Sequence, residues 1–132
     1  MQMKRVLIIS LLLLTGIAKA QEREAQTKMP EFPGGDNAFY EYLDTKVELP
    51  EGFNKKQYLK KHKNQFVPVS VGFTVDVDGT VTNVKVIDGE NELLDKKAIE
   101  IVQNMPKWVP GLSAEGKPIK VDFAIPIRFN LL

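Results

Sequence analysis

The 132-residue chain has no cysteine. That excludes disulfides, thiol chemistry and cysteine-based zinc sites. It has one histidine, His62, which stands in a lysine run with no second ligand nearby, so no metal site is expected there. It has almost no net charge: 18 basic against 17 acidic residues, or +1. Nucleic acid requires a concentrated positive field and is not expected as a partner. Long apolar runs are also scarce. The one present, VLIISLLLLTGIA at 6–18, falls short of the ~20 residues that a spanning helix requires.

That run follows Lys4 and Arg5 and closes on Ala18-Lys19-Ala20. A charged start, a short apolar centre and a small-x-small end are the parts of a secretory signal peptide. Residues 1–20 are therefore expected to be a signal cleaved after Ala20, with no spanning segment left afterwards. Three basic residues leave with it and no acid does, so 15 basic against 17 acidic residues give the remainder a net charge of −2. Its 112 residues suffice for one domain with one core. Residues 21–31, QEREAQTKMPE, are polar and aperiodic and read as a mobile lead-in. The domain is expected over 32–132.

FPGGDNAFYEYL (32–43) reads as a turn followed by a helix, with Asp36 as N-cap. Phe39 and Leu43 share its apolar face, with Tyr40 and Val47 close by. A phosphate cradle at Gly34-Gly35 would need a preceding strand and a following Lys-Ser/Thr, and has neither. The segment 49–65 is a Pro/Gly turn and a short basic helix that Asn54 could cap. Lys55, Lys56, Lys60, Lys61 and Lys63 crowd it. Contact with an anionic surface is one reading of this patch, and a solvated helix face is the plainer one.

From Val67 the period is two: Val67, Val69, Val71, Phe73 and Val75 share a face. VDVDGT is a hairpin turn, with Asp78 and Gly79 supplying positive-φ residues. Its Asp-x-Asp-Gly lacks the remaining ligands of a calcium loop. Val81 is out of phase with Val84 and Val86, which calls for a bulge between them. In LLDKKAIEIVQNM, Leu94, Ala98, Ile101, Val102 and Met105 form one helical stripe, and Pro106 ends it. Pro110-Gly111 then turns the chain toward the last strand, and Trp108 between the prolines reads as a core plug. In that last strand Ile119, Val121, Phe123, Ile125, Ile127, Phe129 and Leu131 alternate with polar or small residues over about 13 positions. One face should be buried and the other wet, and Pro126 marks an edge strand with its position facing outward.

These elements predict an α+β fold of two layers, a three-stranded antiparallel sheet of order 2-1-3 with two main helices on one face. The last strand then has a free edge, a hazard unless something pairs with it. No reactive constellation is present. Ser70 and Ser113 have no motif around them and the acids are scattered, so neither an enzyme nor a cofactor is expected.

GFTVDVDGTVTNVKV, LLDKKAIEIVQNMPKWVPG and GKPIKVDFAIPIRF, taken in order, resemble the C-terminal domain of TonB. FPGGDNAFYEYL resembles the lead-in found before this domain in one branch of the family. The resemblance implies a periplasmic module that binds outer-membrane transporters, in which a short transporter segment adds as a strand to the last strand. Main-chain hydrogen bonds carry such binding. On this chain the implied edge runs from Lys120 to Asn130, with Lys120, Asp122, Ala124, Arg128 and Asn130 between the apolar positions. A complete TonB also has a spanning anchor and a long linker. The lead-in here reaches at most ~35 Å extended, so this chain is not expected to transduce energy alone. The partner would be a TonB-dependent transporter or another periplasmic peptide segment. The alternative is a structural protein that binds cell wall through its lysines or pairs with a second copy through the edge strands.

Overall fold

The computed structural model describes residues 27–132, so the expected signal peptide and residues 21–26 of the expected lead-in lie outside the described residues. The elements are α1 (Asp36–Lys46), α2 (Lys55–Lys61), β1 (Phe66–Val75), β2 (Val81–Asp88), α3 (Glu92–Gln103), β3 (Gly111–Leu112), β4 (Pro118–Ile119) and β5 (Val121–Asn130). The main sheet is antiparallel in the order β2-β1-β5, the expected 2-1-3 arrangement of the three long strands. β3 and β4 form a separate small hairpin.

The odd-numbered residues of β1 and β5 make the core face. Val67, Val69, Val71, Phe73 and Val75 are buried, as are Ile127, Phe129 and Leu131. Leu94, Ala98, Ile101 and Val102 of α3 and the following Met105 close over them. Asn91 starts α3 by accepting from the N–H groups of Leu93 and Leu94, two of the donors a helix start leaves free. α1 has no fully buried residue. It leans on the core through Ala38, Phe39, Tyr42, Leu43 and Val47. The Tyr42 hydroxyl donates to the Ile101 carbonyl at 2.8 Å, tying α1 to α3. Tyr40, expected near the buried face, is instead exposed.

Several local expectations change. Asp36 is the first residue of α1 and not its cap. Gly35 occupies that position at φ 90 and no side chain among the described residues caps the helix. In the turn only Gly79 has positive φ, and Asp78 instead accepts from the Thr80 N–H. The expected bulge is present: between Gly72↔Lys85 and Thr74↔Thr82 β2 holds one extra residue, and Asn83 there has φ 52. A second shift near Ile87 was not expected. The last strand is shorter than 13 residues because Pro118–Ile119 pairs with Gly111–Leu112, which leaves Lys120 between β4 and β5. Gly111 is thus a strand residue, and the turn falls at Ser113–Lys117, where the Ser113 N–H donates to the Lys117 carbonyl. Residues 28–31 belong to the folded body. Lys28 pairs with Leu112, Glu31 pairs with Val109, and Pro30 is buried.

Candidate functional site

The two edges of the sheet differ. β2 carries both register shifts, and each shift bends a strand and breaks the flat row of main-chain groups that another strand would need. β5 pairs with β1 at ten successive positions, from Phe66↔Asn130 to Val75↔Val121, without a shift. Just beyond, the Leu131 N–H donates to the Gln65 carbonyl at 2.8 Å. Antiparallel pairs alternate between bonded and unbonded, so the odd residues of β5 bond inward to β1. The even residues, Asp122, Ala124, Pro126, Arg128 and Asn130, turn their main-chain groups toward the free edge. Pro126 can only accept there, so the outward row offers donors at Asp122, Ala124, Arg128 and Asn130 and none at its centre.

The same alternation explains Pro68. Its position faces the β2 side, but the β1–β2 ladder starts only at Ser70↔Asp88. No ladder bond is lost by the missing N–H.

Along its second half the edge has a wall. Phe39, Tyr40 and Leu43 of α1, with Val47 just after it, face Ile125 and Ile127 across a groove of ≈ 820 Å³. Phe66, Arg128 and Asn130 complete its rim. The Arg128 guanidinium lies over the Phe66 ring, 4.4 Å from its centre. In the first half Asp122 accepts from the Thr74 hydroxyl at 2.7 Å. Its carboxylate is therefore held on the open face while its main chain stays free.

The expected site residues divide accordingly. Asp122, Ala124, Arg128 and Asn130 come together on one edge that no other described strand pairs. Lys120 is not in that strand. The apolar groove wall came from α1, whose helical spacing marked a core face without saying which strand it would flank. The five lysines lie on and just after α2, all exposed, with only Tyr58 and Leu59 of that helix turned inward. The Tyr58 ring stacks on His62, 4.2 Å between centres, and its hydroxyl donates to Glu90 Oε2 at 2.8 Å. Burial and that carboxylate push the Tyr58 hydroxyl up to about 12.

Trp108 sits apart from the edge. Its ring is buried, within 5.6 Å of the rings of Phe32, Phe39, Phe73 and Phe123. Its indole nitrogen has no hydrogen-bond partner among the described residues. Pro106 follows α3 and lines a small cavity against Phe32 and Tyr42. Among the described residues no cluster of His, Cys, Asp or Glu is fit to hold a metal ion. No helix among them is long and apolar enough to cross a membrane.

The family model described as Gram-negative bacterial TonB protein C-terminal matches residues 59–131, more than half of the chain. The match takes in the main sheet, α3 and the end of α2, and leaves α1 outside. No curated protein and no solved structure matches the chain significantly.

Proposed function

The chain belongs to the family of Gram-negative bacterial TonB protein C-terminal domains, and we propose on that premise that it docks an extended peptide as a fourth strand on β5. The family ties it to TonB-dependent transport, so the segment proposed is one that an outer-membrane transporter exposes to the periplasm. The signal-like residues 1–20 agree with export to that compartment. The observation that carries the reading is the contrast between the two edges. β2 is bent out of use twice, whereas β5 presents ten residues in unbroken register. Natural sheets blunt long flat edges unless pairing is wanted. Here the blunting is limited to Pro126.

In this reading the added strand bonds to the main chain of Asp122, Ala124, Arg128 and Asn130 and to the carbonyl of Pro126. Its alternate side chains enter the groove against Phe39, Tyr40 and Leu43. Binding of this kind reads main chain first and side chains second. No reaction is part of the proposal.

The test is binding of synthetic periplasmic segments of transporters, measured by calorimetry, to the parent chain and to Ala124→Pro. Ala124 has no side-chain bond to lose, and its N–H points away from β1. Loss of binding with an unchanged fold supports the edge. Equal affinity of parent and variant rules it out. Light scattering on the same samples shows whether a second copy, the competing occupant, already fills the edge.

A further inference from the structure

The geometry points to a second contact surface: we infer that the sheet end carrying α2 rests on the anionic head groups of a lipid bilayer. From Phe53 to Gln65 the chain holds five lysines, one histidine and no acid. Asn54 caps α2 by accepting from the Gln57 N–H, and Tyr58 and Leu59 hold its inner side. The lysines are all exposed. The one ion pair among the described residues is Lys97–Glu100, so no lysine of the patch lies at ion-pair distance from a described carboxylate. Glu90, the acid that α2 does touch, accepts from the Tyr58 hydroxyl and anchors the helix.

Apolar side chains share this end. The bond from the Leu131 N–H to the Gln65 carbonyl brings the chain's last residues beside the segment that carries Lys63. Leu132 is 75% exposed there, and Phe66 is 37% exposed under the Arg128 guanidinium. Exposed lysines with apolar neighbours suit a bilayer interface, where charge is drawn to phosphate and apolar groups enter the boundary layer. An anionic wall polymer would engage the lysines but offer Leu132 and Phe66 nothing to enter. The contact stands independently of peptide docking. If both hold, the groove beside Arg128 and Asn130 opens next to the membrane.

The test is sedimentation of the chain, as recovered from cells, with vesicles of phosphatidylcholine alone or mixed with phosphatidylglycerol. Binding is expected only with the anionic lipid, and it should fade as salt rises from about 0.05 to about 0.3 M. The variant with Lys55, Lys56, Lys60, Lys61 and Lys63 all changed to Gln should bind at least about tenfold more weakly. Changing Lys28, Lys107 and Lys117 to Gln, at the opposite end of the sheet, should leave binding intact. Leu132→Ser should weaken binding at low salt. All variants keep the same first 26 residues, so any contribution from them cancels. Circular dichroism checks the fold, and the salt series on the parent needs no variant. Equal loss in both lysine variants overturns the inference. So does undiminished binding by the five-Gln variant, binding to neutral vesicles, or capture by anionic wall polymer without vesicle binding.

Discussion

Trp108 donates its backbone N–H to the Gly79 carbonyl at 2.9 Å, and a Cβ added at Gly79 would overlap the Trp108 carbonyl oxygen. The β1–β2 turn and the segment after α3 thus meet backbone to backbone. Gly79 serves there twice, by its positive φ of 89 and by its missing side chain. Below the contact, the Trp108 ring fills the space between Phe32, Phe39, Phe73 and Phe123.

Gly79→Ala should therefore destabilise by more than the ~1 kcal/mol typical of a glycine-specific backbone alone, because the turn must also move off Trp108. Trp108→Ala should cost about 3–5 kcal/mol, the range for large core aromatics. Urea unfolding followed by circular dichroism measures both. A Trp108→Ala chain as stable as the parent would show that the ring is not the plug described.

Tyr42→Phe keeps the ring and removes the one side-chain hydrogen bond described between α1 and α3. A loss of about 1 kcal/mol is expected. Hydrogen exchange should rise in α1 before it rises in β1, since α1 buries no whole residue of its own. If α1 forms the groove wall, the same change should also weaken peptide binding.

Asn91→Ala removes an acceptor shared by two N–H groups at the start of α3. A cost of about 0.5–2 kcal/mol is expected, with Asn91→Asp retaining most of the stability. Thermal melts of the three chains decide it.

Asp95 gives a pH dependence. Burial, with Asp88, Glu90 and Glu92 around it, pushes its carboxyl above the ordinary 3.8. Its Oδ1 has no hydrogen-bond partner among the described residues, and Gly89 lies so close that a Cβ there would overlap the carboxylate. The folded state then holds this proton more tightly than the unfolded state. Its contribution to stability is greatest below pH 3.8 and declines as pH rises through the folded value. Asp95→Asn should be more stable than the parent at pH 7, with the gap closing near pH 3. Urea midpoints at the two pH values check this, and a gap independent of pH would refute it.

The edge strand was readable in the sequence because a period of two is imposed directly by strand geometry. Seven apolar residues alternated from Ile119 to Leu131, and Pro126 stood among the outward positions. The bulge was readable for the same reason, since Val81 broke the phase. The lead-in was not. Residues 28–31 carry no periodic signal, and the main-chain bonds of Lys28 and Glu31 come from Leu112 and Val109, about eighty residues away. Lys120 was assigned to the edge because alternation continues through it. Local pattern cannot register that Ile119 pairs with Gly111 instead of with β1.

By itself the sequence determined the long strands, the α3 stripe and the 2-1-3 order, which follow from short-range periodicity and chain order, and its ordered motifs carried the family resemblance. Only the tertiary structure decided how the two edges differ, that Lys120 drops out of the outward row, and that α1 walls the second half of that edge. It also brought the Leu131–Leu132 end of the chain beside Gln65, at the close of the lysine-bearing segment. Each of these depends on register and on contacts between distant segments, where one residue of slip would turn every outward group inward.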